Sequence, residues 1–84
     1  MNFGQALEVL KSGGMVRRSG WNGKGMHLYI EDGLSHVIGD GVFKGQLRAY
    51  EPCICLYTAQ GKHQPGWNAA QPDMLAEDWE IVPN

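Results

Sequence analysis

A chain of 84 residues with a formal charge of −2 has room for one domain and a thin core, since folding at this length buries roughly 60–65% of the unfolded surface. Its seven Lys and Arg are scattered, whereas a non-specific nucleic-acid binder gathers them in a basic stripe. The 12 glycines are about twice the usual ~7% share and follow no collagen-like period, so they mark turns and close backbone approaches.

The first element in chain order is a short helix. Asn2 can cap it, Phe3, Ala6, Leu7 and Leu10 recur at helical spacing, and Gly13 or Gly14 supplies a left-handed stop. "MVRR" reads as a strand, and Ser19-Gly20 opens a turn. In "MHLYIED" Met26, Leu28 and Ile30 alternate with His27, Tyr29 and Glu31, the period of a half-buried strand. The glycine-broken stretch from Gly33 to Tyr50 leaves room for one or two short strands and shows no firm pattern. "CICLYTA" is a strand, and "QGKHQPGW" a hairpin-like connection reaching Trp67. "QPDMLAEDWEIV" begins with a helical turn, Pro72 at its first position and Asp73 near its N-terminal end, and closes as a strand with Trp79 in the core. The sum is an α+β chain forming a single domain over 1–84. A short N-terminal helix precedes a small antiparallel sheet, with a helical turn before the last strand.

Met1 leads directly into the amphipathic pattern, without a membrane-length apolar run, so a soluble intracellular protein is expected. Cys53 and Cys55 lie two apart on one strand, a poor geometry for a disulfide because their Cβ vectors run parallel. They read as reduced thiols serving as small apolar residues, with half of a shared metal site as the other reading. With disulfides and metals set aside, a second copy is the remaining way to enlarge the core.

No enzyme signature is present. His27, His36 and His63 lack zinc-ligand spacing and read as surface or strand histidines. "GWNGKGM" echoes a phosphate loop but lacks the Gly-Lys-Ser/Thr ending and the helix that should follow. Neither a metal centre nor a resident cofactor is expected. More informative are "GWNG" and "PGWN", which place Trp21 and Trp67 between a glycine and an asparagine on loops beside strands. A glycine-rich turn can aim backbone N–H groups at a phosphate, and an indole offers a face on which a base can stack. Two tryptophans plugging the ends of a small sheet is the plainer reading, and residue types leave both open. Among the acids, Asp73, Glu77, Asp78 and Glu80 read as a solvated cap cluster, or Asp73 as an acceptor for ligand hydroxyls or an adenine amino group.

Taken in order, the N-terminal stretch through Gly20-Trp21-Asn22-Gly23, then "PCICLYTAQG", then "GWNAAQPDMLAEDWEIV" resemble the Thoeris anti-defence proteins of the second type, which phages carry. The resemblance spans nearly the whole chain. It implies a molecular sponge, which holds a cyclic ADP-ribose isomer made as an immune messenger and does not cleave it. It also implies cyclic dinucleotides as further ligands at separate sites, a homotetramer with pockets at subunit interfaces, and a place in the cytoplasm of the infected bacterium. Carried onto this chain, Trp21 stacks on a base, Asn22 and Gly23 line the pocket, and Met26 packs beside the base. Trp67 and Asp73 approach from the second loop. Tyr57 and Met74 are added from their loop and strand-end positions, and Lys24 or Arg18 would meet phosphates. A structural or protein-interaction phage module and a single-strand nucleic-acid binder are the alternatives.

Overall fold

Helix α1 (Phe3–Lys11) forms where the sequence caps it: the Asn2 side chain accepts from Gln5 N at 2.8 Å, and the Gln5 side chain accepts from Asn2 N at 2.9 Å. It ends where Gly13 takes φ 93°, the left-handed conformation that frees the chain to turn into β1 (Met15–Arg18). The computed structural model describes all residues except 32–34, 38, 40, 50 and 84. Along the chain follow β2 (His27–Glu31), β3 (Ser35–Val37), β4 (Leu47–Ala49), β5 (Cys53–Tyr57), β6 (His63–Pro65), α2 (Gln71–Leu75) and β7 (Trp79–Val82).

Five strands form an antiparallel sheet in the order β6-β5-β2-β1-β7, while β3 and β4 pair separately as a two-stranded sheet. Helix α1 covers one face of the larger sheet. Ala6 and Leu10 from the helix meet Val16, Leu28 and Trp79 from the strands in one fully buried cluster. Ile30, Ile54 and Leu56 pack around it from the same face. The strand period read in β2 therefore holds, with Leu28 and Ile30 turned to the helix and His27, Tyr29 and Glu31 turned away.

The α+β expectation holds, helical turn included, since α2 precedes β7 and carries Pro72 in its first turn. The Gly33 to Tyr50 stretch contributes two short strands, β3 and β4, within the one or two expected, with residues 33, 34, 38, 40 and 50 lying outside the described ones, as does residue 32 of the "MHLYIED" strand. One detail exceeds the expectation. The connection before Trp67 contains a strand, β6, whose three residues are all exposed and so carry no apolar alternation. Turn geometry makes it: Thr58 N donates to Lys62 O at 2.8 Å, and Gly61 takes φ 79°. Pro65 is tolerated because β6 lies at the sheet edge.

Candidate functional site

The loop from Ser19 to Met26 joins β1 to β2, and one carboxylate shapes its start. Asp78 accepts from Arg18 Nε at 2.8 Å through Oδ1 and from Gly20 N at 3.1 Å through Oδ2. Its backbone carbonyl accepts from Ser19 N at 3.1 Å. A Cβ on Gly20 would stand 3.0 Å from Asp78 Oδ2, so this close approach suits glycine. The remaining fork of Arg18 reaches Asp73 Oδ1 at 2.9 Å. Hydrogen bonding to Asp78, then to Asp73, raises the Arg18 pKa, and the guanidinium holds Asp78 below its ordinary value.

With the loop entrance fixed, Trp21 turns one side of its indole to an aromatic cluster. Its ring meets Trp79 edge-on at 5.4 Å and 77°, and Trp67 at 6.3 Å and 63°. Phe3 and Trp67 complete the group around Trp79, at 5.5 Å and 6.3 Å from it. Such offset and edge-on geometries suit the ring quadrupoles. Both readings of the paired tryptophans thus have a physical basis, because Trp21 packs on the core yet stays half-buried. It also lines an open cleft of about 260 Å³, together with Arg17, Arg18, Ser19, Gly23, Lys24, Gly25, Met26 and Glu80.

The cleft wall depends on two glycines. A Cβ on Gly23 would run into Sδ and Cγ of Met26 and stand 3.2 Å from Ala59, so the bare backbone is what lets Met26 fold back over it. Gly25 takes φ 81°, a conformation L side chains resist. Of the three cations at the cleft, Arg18 is shared between two acids and Arg17 Nε binds Glu80 Oε1 at 2.8 Å. Lys24, exposed, has no ion-pair partner among the described residues.

Of the residues singled out from the sequence, Trp21, Gly23 and Met26 share this cleft. Asn22 is exposed on the same loop without lining it. Trp67 stands behind Trp21 in the aromatic cluster. The Asp73 carboxylate serves the fold, taking Arg18 on one oxygen and Ala70 N at 3.2 Å on the other, while its carbonyl accepts from Trp79 Nε1 at 2.9 Å. Met74 is 40% exposed on α2. Tyr57 is on the sheet face turned away from α1, stacked on His27 at 5.0 Å and edge-on to His63 at 5.1 Å. The organising role of Asp78, and the Arg17–Glu80 pair, escaped sequence reasoning. Their signal is the β1–β7 register, which sets Arg17 opposite Glu80 and Arg18 opposite Trp79, and pairing between chain ends is not readable from local pattern.

A helix on a five-stranded antiparallel sheet, with an indole-walled cleft bordered by cations at one loop, defines a small α+β domain. A family model described as the Thoeris anti-defense 2-like domain matches residues 1–82. The protein named Thoeris anti-defense 2 from Bacillus phage SP01 is 45% identical over 86 residues, covering 98% of this chain and 94% of its own. The chain belongs to the Thoeris anti-defense 2-like family, as the sequence resemblance implied, and its role is phage counter-defence against Thoeris.

Proposed function

We propose that this protein is a sponge that captures a cyclic ADP-ribose isomer, and cyclic dinucleotides as further cargo, and holds them uncleaved so that the Thoeris effector stays silent. The observation that carries this reading is Trp21, half-buried at the wall of a cleft that also holds Lys24 and Arg17. An adenine stacks on the indole beside Met26, and the phosphates meet Lys24. Arg18, ion-paired with Asp73 and Asp78, shapes the loop. Hydrolysis requires a positioned acid and base. Glu80, the acid at the cleft, is tied to Arg17, which favours holding over cutting.

Magnitudes argue for more than one chain at each site. One base stacked on an aromatic contributes roughly 1–3 kcal/mol. Nanomolar capture needs about −12 kcal/mol. Ligand pockets usually enclose about 300–1,000 Å³, and this cleft, at about 260 Å³, falls below that range. In our reading a neighbouring subunit of a homotetramer closes the cleft and supplies the missing contacts, in the cytoplasm of the infected bacterium where the messenger is made. A cyclic ligand helps, having little conformational freedom to lose.

The test mixes the protein with cyclic ADP-ribose isomers and cyclic dinucleotides, removes the protein by filtration, and heats it. Intact ligand that returns only after denaturation identifies a sponge and its cargo. Ligand that passes the filter freely refutes the reading, and recovery of a cleaved product makes the protein an enzyme.

A further inference from the structure

The sheet face turned away from α1 carries a second arrangement, unrelated to the cleft. Cys53 and Cys55 project from β5 on that face, both free, with their sulfurs 3.7 Å apart. A strand rising ~3.3–3.4 Å per residue separates such neighbours by nearly 7 Å at the backbone, so the two side chains lean toward each other. The sulfurs remain well beyond the ~2.05 Å of a disulfide. Two sulfurs bound to a tetrahedral zinc ion at ~2.3 Å stand about 3.8 Å apart, so the thiols already span one edge of that tetrahedron.

We propose that Cys53 and Cys55 form a two-thiolate site for a soft divalent cation of the zinc and cadmium class. Binding replaces two S–H bonds with two metal–sulfur bonds and releases both protons to solvent, with no change in oxidation state. Cys55 is buried while Cys53 is half-buried, so the ion enters from the Cys53 side. There Glu31, the register partner of Cys53 on β2, adds negative charge along the approach. Among the described residues no third His, Cys, Asp or Glu completes the set, so the two remaining positions fall to water or an external ligand. That makes the site an exchangeable one, unlike a closed structural centre.

Cadmium serves as the probe, because thiolate-to-cadmium charge transfer absorbs in the ultraviolet. Titrating the reduced protein should raise this band to saturation, and bound cadmium should protect both thiols from alkylation together, read as a mass that gains no adducts. Zinc added in excess should displace the cadmium and remove the band. Cys53→Ala should weaken cadmium binding by at least about tenfold, a loss that even groups supporting a metal ligand produce. An unchanged circular dichroism spectrum checks the fold of that variant, and the alkylation measurement needs no variant at all. Equal binding by Cys53→Ala, or equal alkylation with and without cadmium, overturns the proposal and leaves two packing thiols.

Discussion

Asp78 holds Arg18 and Gly20 with a single carboxylate, at 2.8 Å and 3.1 Å, and so ties β7 to the loop that carries Trp21. Asp78→Asn keeps the shape but removes the charge and one acceptor oxygen, leaving an amide to face either a guanidinium or a backbone N–H. The loop entrance should loosen. We expect a lower unfolding temperature, together with several-fold weaker capture of the cyclic nucleotide in the filtration assay. Wild-type capture by Asp78→Asn would show that the loop needs no such anchor.

Gly23 offers a sharper probe, since its missing side chain is what admits Met26. In Gly23→Ala the new methyl group and the Met26 thioether compete for one space, so Met26 must leave the cleft wall. Nucleotide affinity should fall by more than stability does, measured by calorimetry and by urea unfolding on the same sample. Gly25→Ala probes the other glycine of the cleft wall by strain and not by a clash: nothing stands within 4 Å of its would-be Cβ, but φ 81° puts the residue in the left-handed region. It should cost about 1–2 kcal/mol of folding stability.

Local pattern made α1, β1, β2, β5 and β7 legible, because each buries a face whose period survives in the letters. Leu28 and Ile30 alternate, and Phe3, Ala6, Leu7 and Leu10 form a stripe. Strand β6 was illegible because an exposed edge strand needs no apolar residue, only the turn at Gly61 and a partner in β5. The site divides in the same way. "GWNG" announces a tight loop bearing an indole, and that loop does line the cleft. Asp73, however, read in the sequence as a solvated cap acid or a ligand acceptor, because nothing local says that Arg18, 55 positions away, will hold one of its oxygens. Long-range pairing decides which polar groups remain for a ligand.

Trp21 and Trp67 should separate when each is replaced. Trp21→Ala removes the stacking face at the cleft, roughly 1–3 kcal/mol of binding. That corresponds to about 5- to 150-fold in affinity. Trp67 touches Phe3, Trp21 and Trp79 but does not line the cleft, so Trp67→Ala should mainly cost stability. Burying less than a core residue, it should cost about 2 kcal/mol, below the 3–5 kcal/mol of a fully buried tryptophan. Denaturant midpoints and ligand titrations on both variants give the comparison. A folded Trp67→Ala that loses all binding, beside a Trp21→Ala that keeps it, moves the site to the far side of the aromatic cluster.

The pH dependence of stability should show one limb from each of two groups. The hydrogen bond from Arg18 depresses the Asp78 pKa in the folded state, so the stability it gives is complete above the unfolded value of ~4 and is lost as pH falls through the folded one. Tyr29 behaves oppositely. Burial, then the neighbouring Cys55, pushes its phenol from 10.0 up to about 12, so the fold favours the neutral ring. Its contribution is complete below pH 10.0 and disappears as pH rises toward about 12. Urea midpoints measured across this range should therefore fall at both ends. Asp78→Asn should flatten the acid limb and spare the alkaline one. Tyr29→Phe, which also gives up the 2.6 Å hydrogen bond between the phenol and His63 Nδ1, should lower the neutral midpoint and flatten the alkaline limb. If Tyr29→Phe leaves the alkaline limb as steep as before, another group titrates there and the burial of this phenol does not govern it.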